Sequence, residues 1–163
     1  AAWRAGGVSY EQLLNGPVSA DYPLPALPAS TSFVVVDRSG SAVTCALSMN
    51  NLFGTGRMYP TTGVIASASP AVVPPPLLSA GLVFNTNIAA FRAAAGGSGQ
   101  QGAPLAVALG LMNTLRAQEP MPAQVPDPGR LNIIACSRYL PNENRTCGWA
   151  NDPRDYGMAL GGG

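Results

Sequence analysis

Hydrophobic and polar positions along the chain fall into short blocks separated by glycine, proline and small polar residues. Phe33-Val34-Val35-Val36-Asp37 is a β-branched run, Arg38-Ser39-Gly40 is a tight turn, and Ser41 to Met49 is a second apolar run, which together predict a hairpin. Because both runs are nearly all apolar, both faces of this hairpin are expected to be covered. Asn50 to Arg57 follows as a polar, glycine-rich loop. The stretch over residues 61–80 is broken by Pro70 and Pro74-Pro75-Pro76, and Leu77 to Thr86 reads as a further strand. Ala95-Gly96-Gly97-Ser98-Gly99-Gln100 reads as a glycine-rich loop, after which Pro104 sits where a helix can begin. Residues 105–116 then form a helix that is apolar nearly all round and so expected to be buried on most sides. A proline-rich connection over 118–129 leads to a closing hairpin, Leu131 to Cys136 and Thr146 to Ala150, and Asp152 to Gly157 reads as loop. At the front, Ser9 and Gln12 have capping-box spacing and Asn15-Gly16 is a stop signal, predicting a short helix over 9–15. The prolines at 17, 23, 25 and 28 make the remainder up to residue 29 an extended tether. No internal repeat is present.

A length of 163 residues fits one domain or one subunit of something larger. Hydrophobic residues are 47% and charged ones only 10%, well below the roughly 25% of ordinary soluble domains, so the chain is expected to bury much of itself against a partner. All nine basic residues are arginine, set against eight acidic ones, and a net charge of +1 argues against a nucleic-acid footprint or a polybasic membrane patch. The longest apolar helical stretch is far short of the ~20 residues that cross a bilayer, so no transmembrane segment is expected. The opening Ala1-Ala2-Trp3-Arg4, with no Met and no apolar leader, suits a processed, trimmed or partial chain.

Cys136 and Cys147 flank the polar end of the closing hairpin, which would set them opposite each other. That placement admits either a cross-strand disulfide or two buried thiols. Cys45, inside an apolar strand, reads as a small buried side chain. Asn144-Arg145-Thr146 matches a glycosylation sequon, a short pattern that arises often by chance.

The chain contains no histidine. This removes the Ser-His-Asp triad, the Cys-His pair, His-ligated metals and any imidazole base. No metal site or cofactor is expected. A hydroxyl nucleophile then needs another base, and the α-amino group of an N-terminal Ser or Thr, with a pKa near 8, can be that base. Ser30-Thr31 stands at the head of the apolar hairpin, where such a nucleophile would be presented. The loop over 95–100 lacks the Lys-Ser/Thr ending of a phosphate loop. Its backbone N–H groups at Gly96 and Gly97 could instead face an oxyanion, or the loop is a plain turn.

The order of these blocks resembles the small subunit of γ-glutamyltransferases. Ser30-Thr31-Ser32-Phe33-Val34-Val35-Val36-Asp37, Gly40, then Ser48-Met49-Asn50-Asn51-Leu52-Phe53-Gly54-Thr55-Gly56 is similar to that family's T-T-H-x-S-V-V-D, Gly, and T-L-N-x-x-F-G-T/S-G. Pro76-Leu77-Leu78-Ser79 falls where the family has P-L-S-S, Ala95-Gly96-Gly97-Ser98 resembles its P-G-G-S, and Gly148 to Arg154 resembles its closing G-A-S-D-P-R. The resemblance spans residues 30 to about 161.

What it implies is a lead segment over 1–29, the end of a large-subunit region or a tether, and a small-subunit-like domain over 30–163. The implied fold is α+β, the small-subunit half of an αββα N-terminal-nucleophile sandwich completed by a large subunit of the same precursor. The implied reaction is attack on a γ-glutamyl amide such as glutathione, with transfer to water or an amino acid. By position, Ser30 takes the nucleophile's place and Ser48 that of a supporting threonine. Asn50 and Ser79 match substrate-binding positions, and Gly96 and Gly97 match oxyanion glycines. The free amine requires autocleavage between Ala29 and Ser30. A periplasmic or extracellular setting is likewise implied.

The departures point the other way. Leu78 replaces the first of the paired serines that bind the substrate carboxylate. Ser69 and Val72 stand where the family has a Gln and an acidic residue for the substrate ammonium, and Ser32 stands in place of its His. The favoured reading is therefore a homologue that keeps the fold, is catalytically silent and serves as a structural or accessory subunit. The alternative is an active γ-glutamyl transferase or hydrolase cut before Ser30. An unrelated all-β binding module is the third.

Overall fold

A computed structural model describes residues 30–71, 77–121, 125–143 and 146–161. The expected helix at 9–15, the tether up to residue 29, Val72, the triple proline and most of the sequon lie outside them. The described chain divides into two compact units, residues 30–47 with 77–161, and residues 48–71.

In the larger unit, β1 (Ser30–Val36) and β2 (Ala42–Ser48) form the expected hairpin. Its turn is built on Asp37, whose Oδ1 accepts from the Ser39 and Ser41 N–H groups at 2.8 and 2.9 Å and from the Ser39 hydroxyl at 2.6 Å. The Ser39 hydroxyl is the chief reason its carboxyl is held below the usual carboxylate range, with the backbone donors adding to it. A depressed folded-state value means this contribution is intact above about pH 4 and fades as pH falls through the folded value. The Ser39 and Ser41 amides are therefore expected to keep their exchange protection from pH 7 to 5 and to lose it on acidification below 4, followed by NMR.

β3 (Ser79–Asn85), β4 (Ala90–Ser98), β5 (Arg130–Leu140) and β6 (Cys147–Asn151) form an antiparallel sheet in that order. The glycine-rich segment is not a loop up to Ser98. It is the end of the central strand β4, and only from Gly99 does the chain turn, through a short 3-10 turn at Gln100–Gly102. Helix α1 (Ala103–Ala117) follows, with proline in its first turn as expected. It packs on β3, β4 and β5, while β1 of the hairpin lies across β4 and β5 on the other face. The larger unit is thus three layers, hairpin, sheet and helix.

Two cores flank the sheet. Toward the helix, Ala95, Leu131 and Ile133 meet Ala106 and Val107. Toward the hairpin, Phe91, Ala94 and Leu140 meet Val34 and Val36. β4 serves both faces by the alternation of its side chains, and a register shift between Phe91 and Ala93 interrupts its pairing with β5. Helix α1 is not buried on most sides. It buries the small-residue face of Ala103, Ala106, Val107, Gly110 and Thr114, and Leu105 and Met112 are exposed. Nor do the described residues cover both faces of the hairpin: Ser32 is buried and Val34 and Val36 half-buried facing inward, whereas Phe33, Val35, Val43 and Leu47 remain open, Val35 at 57%.

Cys136 and Cys147 face each other in the β5–β6 ladder and are disulfide-bonded. The bond closes a loop of sequence separation 11. Replacing both by Ser is expected to lower unfolding free energy by about 2 kcal/mol, the size of a short-loop crosslink. Urea unfolding of the variant, beside the native chain with and without reductant, checks it. Cys45 is a free, half-buried thiol.

Candidate active site

Ser30 opens β1, and its Oγ accepts the Gly99 N–H at 3.0 Å. Gly99 has φ 98°, a left-handed conformation open to glycine, and it stands where the chain leaves β4. Two residues along β1, Ser32 is buried. The Asn132 side-chain amide donates to both its carbonyl oxygen, at 2.9 Å, and its Oγ, at 3.1 Å. Asn132 is the polar interruption in the apolar run of β5, and it ties β1 to the sheet. On β2, the Thr44 hydroxyl donates to the Ala95 carbonyl at 2.9 Å.

Gly96 and Gly97 occupy adjacent positions of β4, in register with Ala80 and Ser79 on one side and Asn132 and Leu131 on the other. Their lack of side chains has a packing consequence on each face. A Cβ on Gly96 would lie 2.8 Å from the Ser32 Cβ, and one on Gly97 would lie 2.7 Å from the Ala103 carbonyl oxygen. The pair therefore lets the hairpin and the helix both approach β4 at one level. Gly97→Ala is expected to cost about 2 kcal/mol, since backbone on the helix side cannot yield as a side chain would, and thermal unfolding tests it. Ser79 opens β3 directly opposite Gly97 and is half-buried, while Leu78 beside it is exposed. The larger unit therefore places Ser30, Ser79, Gly96 and Gly97 at the same end of the hairpin and central sheet.

Ser48 and Asn50 are held within the smaller unit. The Asn50 N–H donates to Ser48 Oγ at 2.8 Å. Its side-chain amide donates to the Ala68 carbonyl at 2.6 Å. The adjacent Asn51 caps the following turn through its Oδ1 and the Phe53 N–H. The Thr55 N–H meets the Ala66 carbonyl at 2.8 Å. The motif from Asn50 to Gly56 thus folds a loop back on residues 66–68.

A cleft of roughly 310 Å³ runs between β1, β5, β6 and the segment after β6, lined by Thr31, Phe33, Asn132, Trp149 and Asn151. Asn151 donates to the Gly157 carbonyl at 2.9 Å and fixes that segment. Beyond β6, Asp152 is buried and bound by Arg154 through Nε at 2.8 Å and a terminal nitrogen at 2.6 Å. Burial alone would raise the Asp152 carboxyl, but the hydrogen bonds from Arg154 outweigh it and hold the value below normal. The sequence gives no role to Gly99 or Asn132, and marks Asp152 and Arg154 only as part of a fold-building motif. A lone Asn among apolar strand residues was the available signal for Asn132.

No protein-family model and no curated protein matches the sequence. Solved structures do. A γ-glutamyltranspeptidase from Pseudomonas nitroreducens complexed with L-DON superposes with a TM-score of 0.59 at 16% identity, over 82% of this chain and 100% of that one. A highly active mutant of the γ-glutamyltranspeptidase from the same organism gives 0.57 at 14% identity, over 82% of this chain and 99% of that one. The chain has the fold of that γ-glutamyltranspeptidase chain, at matching size. Among the described residues no helix is long and apolar enough to cross a membrane.

Proposed function

We propose that this chain is a γ-glutamyltransferase-like scaffold, the small-subunit half of an N-terminal-nucleophile sandwich, which is catalytically silent and serves as a structural or accessory subunit. The observation that carries the reading is the open outer face of the β1–β2 hairpin. Phe33, Val35, Val43 and Leu47 leave one face of a two-stranded sheet apolar and uncovered, as a subunit surface would be. The partner is the large subunit of the same precursor or another subunit of an assembly. Silence follows from the substrate grip. The Leu78 side chain offers no hydrogen bond to a carboxylate, and the apolar Val72 cannot replace an ion pair to an ammonium. The Cys136–Cys147 disulfide supports a periplasmic or extracellular setting.

The isolated chain is expected to self-associate, and Val35→Asp with Val43→Asp to leave it monomeric in light scattering. A monomeric native chain would remove the support for a subunit role.

A second reading is favoured by the Gly99 N–H on Ser30 Oγ, a main-chain donor seated on a strand-head hydroxyl. In it Ser30 is the nucleophile of a γ-glutamyl transferase or hydrolase. A cut before Ser30 frees its amine, which takes the hydroxyl proton as Oγ attacks the amide carbon; the intermediate then collapses with cleavage of the C–N bond, the amine returning that proton to the departing nitrogen, and the γ-glutamyl ester on Oγ passes to water or an amino acid. Gly96 and Gly97 stabilise the oxyanion, Ser48 supports the nucleophile, and Asn50 and Ser79 hold the glutamyl group. Intact-mass measurement and a chromogenic γ-glutamyl anilide separate the two. The silent reading expects the uncut mass and no released amine. A species beginning at Ser30 whose release of amine is lost in Ser30→Ala overturns it.

A further inference from the structure

The turn before β5 and the turn after β4 are packed backbone against backbone. A Cβ on Gly99 would sit 2.1 Å from the Pro128 carbonyl oxygen, and one on Gly102 would sit 2.6 Å from the Gly129 nitrogen. The two turns are also closed on themselves, Gly102 N–H to Gly99 O and Gly129 N–H to Pro126 O, each at 2.9 Å. With no side chain between them, a displacement of residues 128–129 is passed to Gly99 directly.

Residues 127–129 are in turn gripped by two guanidinium groups. Arg154 donates to the Gly129 carbonyl at 3.0 Å and to Asp127 Oδ1 at 2.9 Å, while two further N–H groups, on Nε and a terminal nitrogen, go to the buried Asp152. Arg130 donates to Asp127 at 2.6 Å and to the Pro128 and Gly129 carbonyls at 3.2 and 2.9 Å. Asp152 is the fixed end of this chain of contacts because it is 1% exposed and its carboxylate is oriented bidentately by Arg154. A planar guanidinium can hold Asp152, Asp127 and a carbonyl in one geometry, and a lysine ammonium cannot.

We infer that Arg154, anchored on Asp152, is a positioning residue that sets the Gly99 N–H on Ser30 Oγ by way of the Gly129 carbonyl. The inference rests on the reading in which Ser30 is the nucleophile, where it explains how a group far along the chain fixes the hydroxyl at the strand head. It is tested without turnover, through hydrogen exchange at the Gly99 amide in the full chain.

Ser30→Ala removes the acceptor and is expected to speed Gly99 exchange about tenfold, the size of one ordinary hydrogen bond. Arg154→Gln should speed it to a similar degree, and adding it to Ser30→Ala should change little further, because both act on one contact. Arg154→Lys should not restore protection. Arg138→Gln, which breaks a separate exposed ion pair with Glu143, should leave Gly99 unchanged. If Arg154→Gln does not fold, Asp127→Asn at the exposed rim of the cluster decides, with an expected rise of about threefold. Native protection at Gly99 in the Arg154 or Asp127 variant overturns the inference. So does an increase of equal size with and without the Ser30 hydroxyl, or full rescue by lysine. These outcomes are independent of whether a species beginning at Ser30 is ever found.

Discussion

Phe91→Ala should cost about 4 kcal/mol, a large share of the 5–15 kcal/mol that holds an ordinary domain together. Phe91 is fully buried on the hairpin side of β4. It packs with Ala94, Cys136 and Leu140 from the sheet and Val34, Val36 and Ala42 from the hairpin. Its ring also meets Phe84 edge-on at 5.6 Å. Most of its neighbours are small or β-branched, so they have little reach with which to close the space a truncated side chain leaves. The loss should therefore sit at the upper end of the range for aromatic truncations. Phe91→Leu, which keeps most of the volume, should cost about half as much. Chemical denaturation of the two variants gives the comparison, and near-equal values would mean that the site collapses freely. Because the hairpin is seated through this cluster, β1 amides should lose exchange protection before those of β3.

What was legible in the sequence follows from where one physical signal dominates. The β1–β2 hairpin shows itself through β-branched runs on either side of a turn whose Asp and Gly are needed for its geometry. The β5–β6 ladder is read from its apolar run, and its opposed cysteines are bonded. The start of α1 is marked by Pro104. β4 is not evident because Ala90 to Ser98 contains four alanines and two glycines, residues with weak strand preference. What makes it a strand is the close packing of a hairpin on one side and a helix on the other, which only small residues permit. That is tertiary information. The helix was misjudged for a related reason. Contact through Ala106 and Gly110 brings α1 so near the sheet that its larger residues, Leu105 and Met112, are left outside. At the site, Ser30 and the glycine pair are read from motif resemblance, and they lie at the same end of the larger unit. Gly99 and Asn132 act through one hydrogen-bonded group each, and no spacing rule announces such a role.

Replacing Asp152 has the second large expected effect, and its dependence on pH follows from the same geometry. Asp152→Ala takes the carboxylate from beneath Arg154 and leaves the guanidinium facing the Gly129 carbonyl and Asp127 alone. Breaking one side of a fully buried pair costs about 3–5 kcal/mol. Arg154 keeps about a third of its side-chain surface, so water recovers part of this and about 2–3 kcal/mol is expected. Asp127→Ala, whose carboxylate is 74% exposed, should cost no more than about 0.5 kcal/mol although it meets two arginines. The contrast separates burial from the number of ion pairs. For pH, Asp152 has a folded-state value below its unfolded one. Its contribution is therefore complete at neutral pH, still present near pH 5, and lost as pH falls from about 4 through the folded value. Native chain and Asp152→Ala should differ most in unfolding free energy above pH 5 and converge below pH 3. A gap that stayed constant into acid would show that the carboxylate charge contributes little and that shape alone holds Arg154 in place.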